Sequence, residues 1–145
     1  MEDTFDDILK VISGSRRIGV TSHARPDGDA VGSTVAMGLI MQEKGKEVTV
    51  INCDPVPESI KFLPGVELIK KPKKEDEFDL VIILDSADKH RVGKDFWEAV
   101  EGVKFLINID HHISNTCFGD INYVDSDSPA TGQIVYQLAK YAGWS

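Results

Sequence analysis

Residues 17–30 read Arg17-Ile18-Gly19-Val20-Thr21-Ser22-His23-Ala24-Arg25-Pro26-Asp27-Gly28-Asp29-Ala30, and the fold is decided there. The segment ending at Ser22 has the make-up of a short buried strand. It runs straight into His23, Asp27 and Asp29, one imidazole and two carboxylates in close succession, as at a metal site. Pro26 holds its own φ and biases Arg25 away from helix, so residues 23–29 are expected to form a loop that curls its donors around an ion. The following run over 30–43, AVGSTVAMGLIMQE, is apolar almost all round, with small residues at Gly32, Ser33, Ala36 and Gly38. That pattern describes a helix buried against a sheet, its first amides pointing back at the loop. Gly45 ends it and EVTVIN over 47–52 is the next strand. Strand, helix and strand make a parallel unit with a right-handed crossover.

Toward the N-terminus, Phe5, Ile8, Leu9 and Ile12 recur at helical spacing after Thr4, predicting a short amphipathic helix over 4–13. On the other side, Pro55, Pro57, Pro64 and Gly65 mark an irregular stretch with one helical turn at 59–63. The lysines at 70, 71, 73 and 74 are interrupted by Pro72 and followed by acids through Glu77, which predicts a solvated loop. FDLVIIL over 78–84 is the most apolar strand and ends at Asp85. A desolvated carboxylate costs several kcal/mol unless it is paired or bound to a cation, so Asp85 is singled out. A short helix at 95–100, a buried strand at 103–109 ending in Asp110-His111-His112, a strand at 121–124 and a helix at 129–142 complete the chain. This alternation predicts one α/β domain, a doubly wound, mostly parallel sheet with helices on both faces.

Open parallel sheets bind ligands outside the carboxyl ends of their strands. His23, Asp27 and Asp29 follow the first strand, Asp85 another, and Asp110, His111 and His112 a third, so all fall on one edge. Carboxylates mixed with imidazoles and no thiolate suit manganese, cobalt, iron or magnesium better than structural zinc. Two divalent cations bridged by one carboxylate, with Asp85 the best-placed bridge, would activate a water and clamp a phosphate, which points to phosphoester hydrolysis. No G-x-x-x-x-G-K-[ST] or G-x-S-x-G pattern is present.

Composition narrows the partners. The 145 residues carry a net charge of −8, which argues against wrapping duplex DNA, whereas carboxylates loaded with cations can still attract a small phosphate. No apolar run approaches the roughly eighteen residues needed to cross a bilayer. The acidic N-terminus lacks the pattern of a secretory signal, so a cytoplasmic location is expected. Cys53 and Cys117 share no ligand spacing and read as reduced, packed thiols. Trp97 and Trp144 read as core or rim, and His90 as idle, outside the strand-end groups.

His23-Ala24-Arg25-Pro26-Asp27-Gly28-Asp29-Ala30-Val31-Gly32-Ser33, then Asp85, then Asp110-His111-His112 resemble in order and spacing the first three motifs of the DHH phosphoesterase superfamily. The resemblance implies that His23, Asp27 and Asp85 hold one manganese and that Asp29, Asp85 and His111 hold the other. It places His112 against the scissile phosphate and Asp110 behind the imidazoles. Asn122-Tyr123-Val124-Asp125 followed by Ala130-Thr131-Gly132 is similar to the nanoRNase and pAp-phosphatase branch. That branch acts on very short RNAs and on 3'-phosphoadenosine 5'-phosphate (pAp). Cyclic dinucleotide hydrolysis, RecJ-type exonuclease action, pyrophosphate or polyphosphate hydrolysis, and a non-enzymatic nucleotide-sensing role stay open. Arg25, Arg91, Ser33 and Asp125 are the expected substrate contacts, Asp125 alternatively a helix cap. The superfamily's fourth metal motif and its substrate-gripping second domain have no counterpart here, so the chain is expected to be the metal-binding domain of a longer protein. A homodimer is compatible with this reading.

Overall fold

Thr4 opens the first helix, α1 (Phe5–Ser13), by a reciprocal cap: its hydroxyl accepts the Asp7 N–H at 3.3 Å and its own N–H donates to the Asp7 carboxylate at 2.8 Å. The computed structural model describes residues 3–74 and 77–144. Strand β1 (Arg17–Ser22) is followed by α2 (Gly28–Glu43), which begins at Gly28 rather than at Ala30. The cause is Asp27, whose Oδ1 caps the Ala30 N–H at 2.9 Å. Asp29 therefore stands in the first helical turn and not, as expected, in the loop.

Then come β2 (Glu47–Ile51), 3-10 turns at Glu58–Ile60 and Val66–Leu68, and an edge strand β3 (Ile69–Lys70). Two residues carry no periodicity, so β3 is invisible to pattern reading, and Lys70 belongs to it rather than to a loop. Of the expected solvated loop over 70–77, residues 75 and 76 lie outside the described residues. The remaining elements are β4 (Leu80–Leu84), a 3-10 turn at His90–Val92, α3 (Lys94–Ala99), β5 (Leu106–Asp110), β6 (Ile121–Val124) and α4 (Thr131–Ala142).

All pairings are parallel in the order β3-β2-β1-β4-β5-β6. From β1 the chain winds outward through β2 and β3, then crosses back and winds the other way from β4, so β1 and β4 flank the point where the order reverses. Alternation along β4 divides the core. Leu80, Ile82 and Leu84 pack with α1, α2 and α4, whereas Val81 and Ile83 pack with Phe96 of α3. Helices cover both faces, three against one.

Gly38 lets α2 lie close on the sheet, since an added Cβ would come within 2.5 Å of Val50 Cγ2. Ile82 is fully buried in the centre of the sheet. Ile82→Ala is expected to lower stability by about 4 kcal/mol, read from the urea midpoint.

The register then fixes the site. Ser22 pairs with Leu84 and Leu84 with Ile109, so β1, β4 and β5 end level and side by side.

Candidate metal centre

Asp85 is the residue immediately past β4, and its φ of 60° is in the left-handed region, where aspartate is among the few tolerated side chains. Strand alternation would send residue 85 toward α3. The left-handed turn instead brings its carboxylate to α4, where Oδ1 accepts from Thr131 Oγ1 at 3.1 Å. Asp85 is 2% exposed.

Two imidazoles flank it. His23 Nε2 lies 3.5 Å from Asp85 Oδ2 and 3.8 Å from Asp27 Oδ1. His111 Nε2 lies 3.4 Å from Asp85 Oδ1 and 3.6 Å from Asp29 Oδ2. Each carboxylate oxygen of Asp85 thus faces a different histidine. The far nitrogens are engaged by main chain, His23 Nδ1 with the Ala24 carbonyl at 2.7 Å and His111 Nδ1 with the Ser128 carbonyl at 3.3 Å, which turns each Nε2 inward.

These residues fit divalent cations. Donors bound at about 2.1 Å to one ion sit roughly 3 to 3.5 Å apart, close to the separations seen. His23, Asp27 and Asp85 can converge on one ion, and on the other side His111 Nε2 stands between Asp85 Oδ1 at 3.4 Å and Asp29 Oδ2 at 3.6 Å, where it could serve a second. Asp110 and His112 also lie within ligand reach of Asp85. Their bonds point elsewhere, however: Asp110 is fully buried, with Oδ1 on His112 Nδ1 at 2.7 Å and Oδ2 on Asn115 Nδ2 at 2.9 Å. Asp110 supports His112, which is half-buried and keeps Nε2 on the opposite ring edge.

The sequence model of the DHH family, N-terminal domain, matches residues 17–144. The chain belongs to the DHH family. It is 37% identical over 138 residues to the bifunctional oligoribonuclease and PAP phosphatase NrnA of Thermus thermophilus, covering 94% of this chain and 40% of that protein. It is 28% identical over 141 residues to the protein of the same name from Bacillus subtilis, covering 95% and 44%. The crystal structure of an exopolyphosphatase-related protein from Bacteroides fragilis superposes with a TM-score of 0.88 at 25% identity, covering 97% of this chain and 44% of that one. The chain therefore spans about two fifths of the length of its curated relatives.

The expected substrate contacts of this DHH chain fare unequally. Arg25, a member of the donor loop, is exposed with φ 51° and its backbone N–H donates to Asp54 Oδ2 at 2.8 Å. Arg91 pairs through Nε with Asp88 Oδ2 at 3.2 Å, while its carbonyl accepts from Ala24 N–H at 2.6 Å and ties the loops after β1 and β4 together. Ser33 corrects the expectation: it is 1% exposed and its hydroxyl donates back to the Asp29 carbonyl at 2.7 Å, inside α2. Asp125 turns its Oδ1 to the Asp127 N–H at 3.0 Å and does not cap α4. That task falls to Asp29, which accepts the Thr131 and Gly132 N–H groups at 2.9 Å each.

Sequence reasoning missed the supporting amides. Asn108, fully buried, donates to the Ile83 and Ser86 carbonyls and accepts from Asn115, which holds Asp110. Asn52 donates to Ser22 Oγ and to the His23 carbonyl. The one signal that could have found them is a lone amide inside an apolar strand, as at Asn108.

Without cations the centre is short of positive charge. The Asp85 carboxyl is pushed up, chiefly by burial and further by Asp29 and Asp27, while its hydrogen bond with His23 is the main cause raising that imidazole to about 9. The pair holds a proton at neutral pH. A histidine raised above its ordinary 6.5 contributes stability that is complete below that value and is lost as pH rises through about 9. The melting temperature of the cation-free chain should fall across that window, while affinity for an added divalent cation should rise because binding would displace the proton. Calorimetric titrations at pH 7 in buffers of different ionisation enthalpy should register release of about one proton from His23. Uptake of Mn²⁺ without proton release would contradict this assignment.

Proposed function

We propose that the chain is a manganese-dependent phosphoesterase acting on short oligoribonucleotides and on pAp through two cations. The observation that carries this is the division of Asp85, with Oδ2 3.5 Å from His23 and Oδ1 3.4 Å from His111 at the point where the strand order reverses. The names of the Thermus and Bacillus relatives support the substrate class.

His23, Asp27 and Asp85 would hold one cation, and Asp29, Asp85 and His111 the other. Bound there, the pair supplies an activated water and charge stabilisation for the phosphoryl oxygens. The remaining work belongs to the chain. Asp110, held in turn by Asn115, fixes the ring of His112, so that Nε2 can donate a proton to the leaving oxygen. Arg25 and Arg91 stand on the loops bordering the centre, where a guanidinium fork suits a phosphate.

The test is Mn²⁺-dependent release of phosphate from pAp and of mononucleotide from two- to five-residue RNAs, measured beside cyclic di-AMP, pyrophosphate and polyphosphate. Turnover of pAp and short RNA above the others is expected. Preference for polyphosphate, the direction suggested by the name of the exopolyphosphatase-related Bacteroides protein, would replace the substrate and keep the chemistry. No hydrolysis of any of them would leave the non-enzymatic reading.

A further inference from the structure

We infer that the turn leading into α4 is a clamp that pre-forms one of the two cation half-sites, with Thr131 as its positioning residue. The inference rests on the two-cation reading above and deepens it, because it makes the half-sites unequal and names the residue responsible.

A helix begins with N–H groups that need acceptors, and α4 has no capping side chain of its own, since its N-cap is Ala130. The acceptor comes from α2: Thr131 N–H donates to Asp29 Oδ2 and Gly132 N–H to Asp29 Oδ1, both at 2.9 Å. Thr131 is fully buried, and its hydroxyl donates to Asp85 Oδ1 at 3.1 Å. Just upstream, the Ser128 carbonyl faces His111 Nδ1 at 3.3 Å, and Ser128 Oγ donates to the Ala130 carbonyl at 3.0 Å, bracing the turn.

Every donor of the Asp29, Asp85 and His111 half is therefore held by residues 128–132. Each carboxylate oxygen involved retains a second lone pair for an ion.

Among the described residues, the side chains of the other half are held more locally. Asp27 caps its own helix and nears His23 Nε2 at 3.8 Å, with its side chain 67% exposed, while His23 Nδ1 rests on the carbonyl of its own neighbour Ala24 and only the His23 main chain is held from afar, by Asn52. Donors already held in place lose less freedom on binding, so the braced half should bind its cation more tightly. Two cations of unequal affinity follow, the tighter on the α4 side.

Replacing the hydroxyl by a methyl of similar volume, Thr131→Val, leaves Asp85 Oδ1 without that donor. It should weaken the tighter site by about 10- to 100-fold and leave the weaker one unchanged, while Thr131→Ser restores affinity to within a few-fold. Mn²⁺ binding is read by electron paramagnetic resonance and calorimetry on the chain itself, with thermal melts of the cation-free variants alongside. Should Thr131→Val fail to fold, Thr131→Ala removes the same hydroxyl and takes its place.

Background variants assign the effect. With Asp27→Asn disabling the open half, Thr131→Val should still weaken the remaining site. With His111→Ala disabling the braced half, it should change nothing further. Equal weakening of both sites, unchanged binding in Thr131→Val, or failure of serine to rescue would overturn the clamp while leaving the two-cation reading standing. A wild-type chain that takes up no Mn²⁺ would overturn both.

Discussion

Asp85→Asn is expected to lower turnover about 10³-fold or more and to cut bound Mn²⁺ from two ions to at most one. Asparagine is the informative replacement because residue 85 has a φ of 60°. Asparagine tolerates that conformation, whereas alanine would add roughly 1–2 kcal/mol of backbone strain to any loss of chemistry. The amide also has a forced orientation. Thr131 Oγ1 donates to Oδ1 at 3.1 Å, so the carbonyl oxygen must stay there and the NH₂ must take the place of Oδ2, facing His23.

A donor there cannot ligate, so the His23 and Asp27 half is lost and the His111 half keeps a neutral oxygen in place of a charged one. His23 also loses the main cause of its raised pKa. Folding should survive, because the substitution removes a buried charge that Asp29 and Asp27 repel. The cation-free chain should still melt cooperatively but lose the pH-dependent stabilisation that His23 supplies below about 9, and activity within tenfold of wild type would refute Asp85 as the bridge.

His112→Asn should separate chemistry from cation binding. The asparagine NH₂ can approach the position of Nδ1 and keep the bond to buried Asp110 Oδ1, 2.7 Å in the wild type, while Nε2 is deleted. A lost proton donor costs about 10²- to 10⁴-fold in kcat. Mn²⁺ stoichiometry and KM should stay near wild type, because His112 Nδ1 is bonded to Asp110 and lies 3.9 Å from Asp85 Oδ1. If the loss of activity tracked a loss of bound Mn²⁺, His112 would be a ligand and not the proton donor.

Much of this architecture is legible in the residues themselves. The helix of residues 5–13 can be read because Thr4 and the spacing of Ile8 and Ile12 act within one helical turn of each other. Strand β1 and the strand 121–124 are bounded by local changes in polarity. Other features escape pattern reading, some for local reasons and some for distant ones. Strand β3 is too brief to show a period, and the start of α2 depends on which of two aspartates acts as cap. Ser33 looks available beside the donor loop, yet helix geometry turns its hydroxyl onto its own backbone. Thr131 enters only as part of a resemblance, because its partners Asp29 and Asp85 are remote in sequence and nothing local marks the contact.

By itself the sequence determined the alternation of strands and helices and the placing of carboxylates and imidazoles at strand ends, since both are written in periodicity and residue type within a few positions. Only the tertiary structure decided that β1, β4 and β5 lie adjacent and end level, that a left-handed residue turns Asp85 toward α4, and that its two oxygens face different histidines. Those outcomes depend on strand order, register and backbone conformation, which are set by packing between segments far apart along the chain, and no local pattern encodes them.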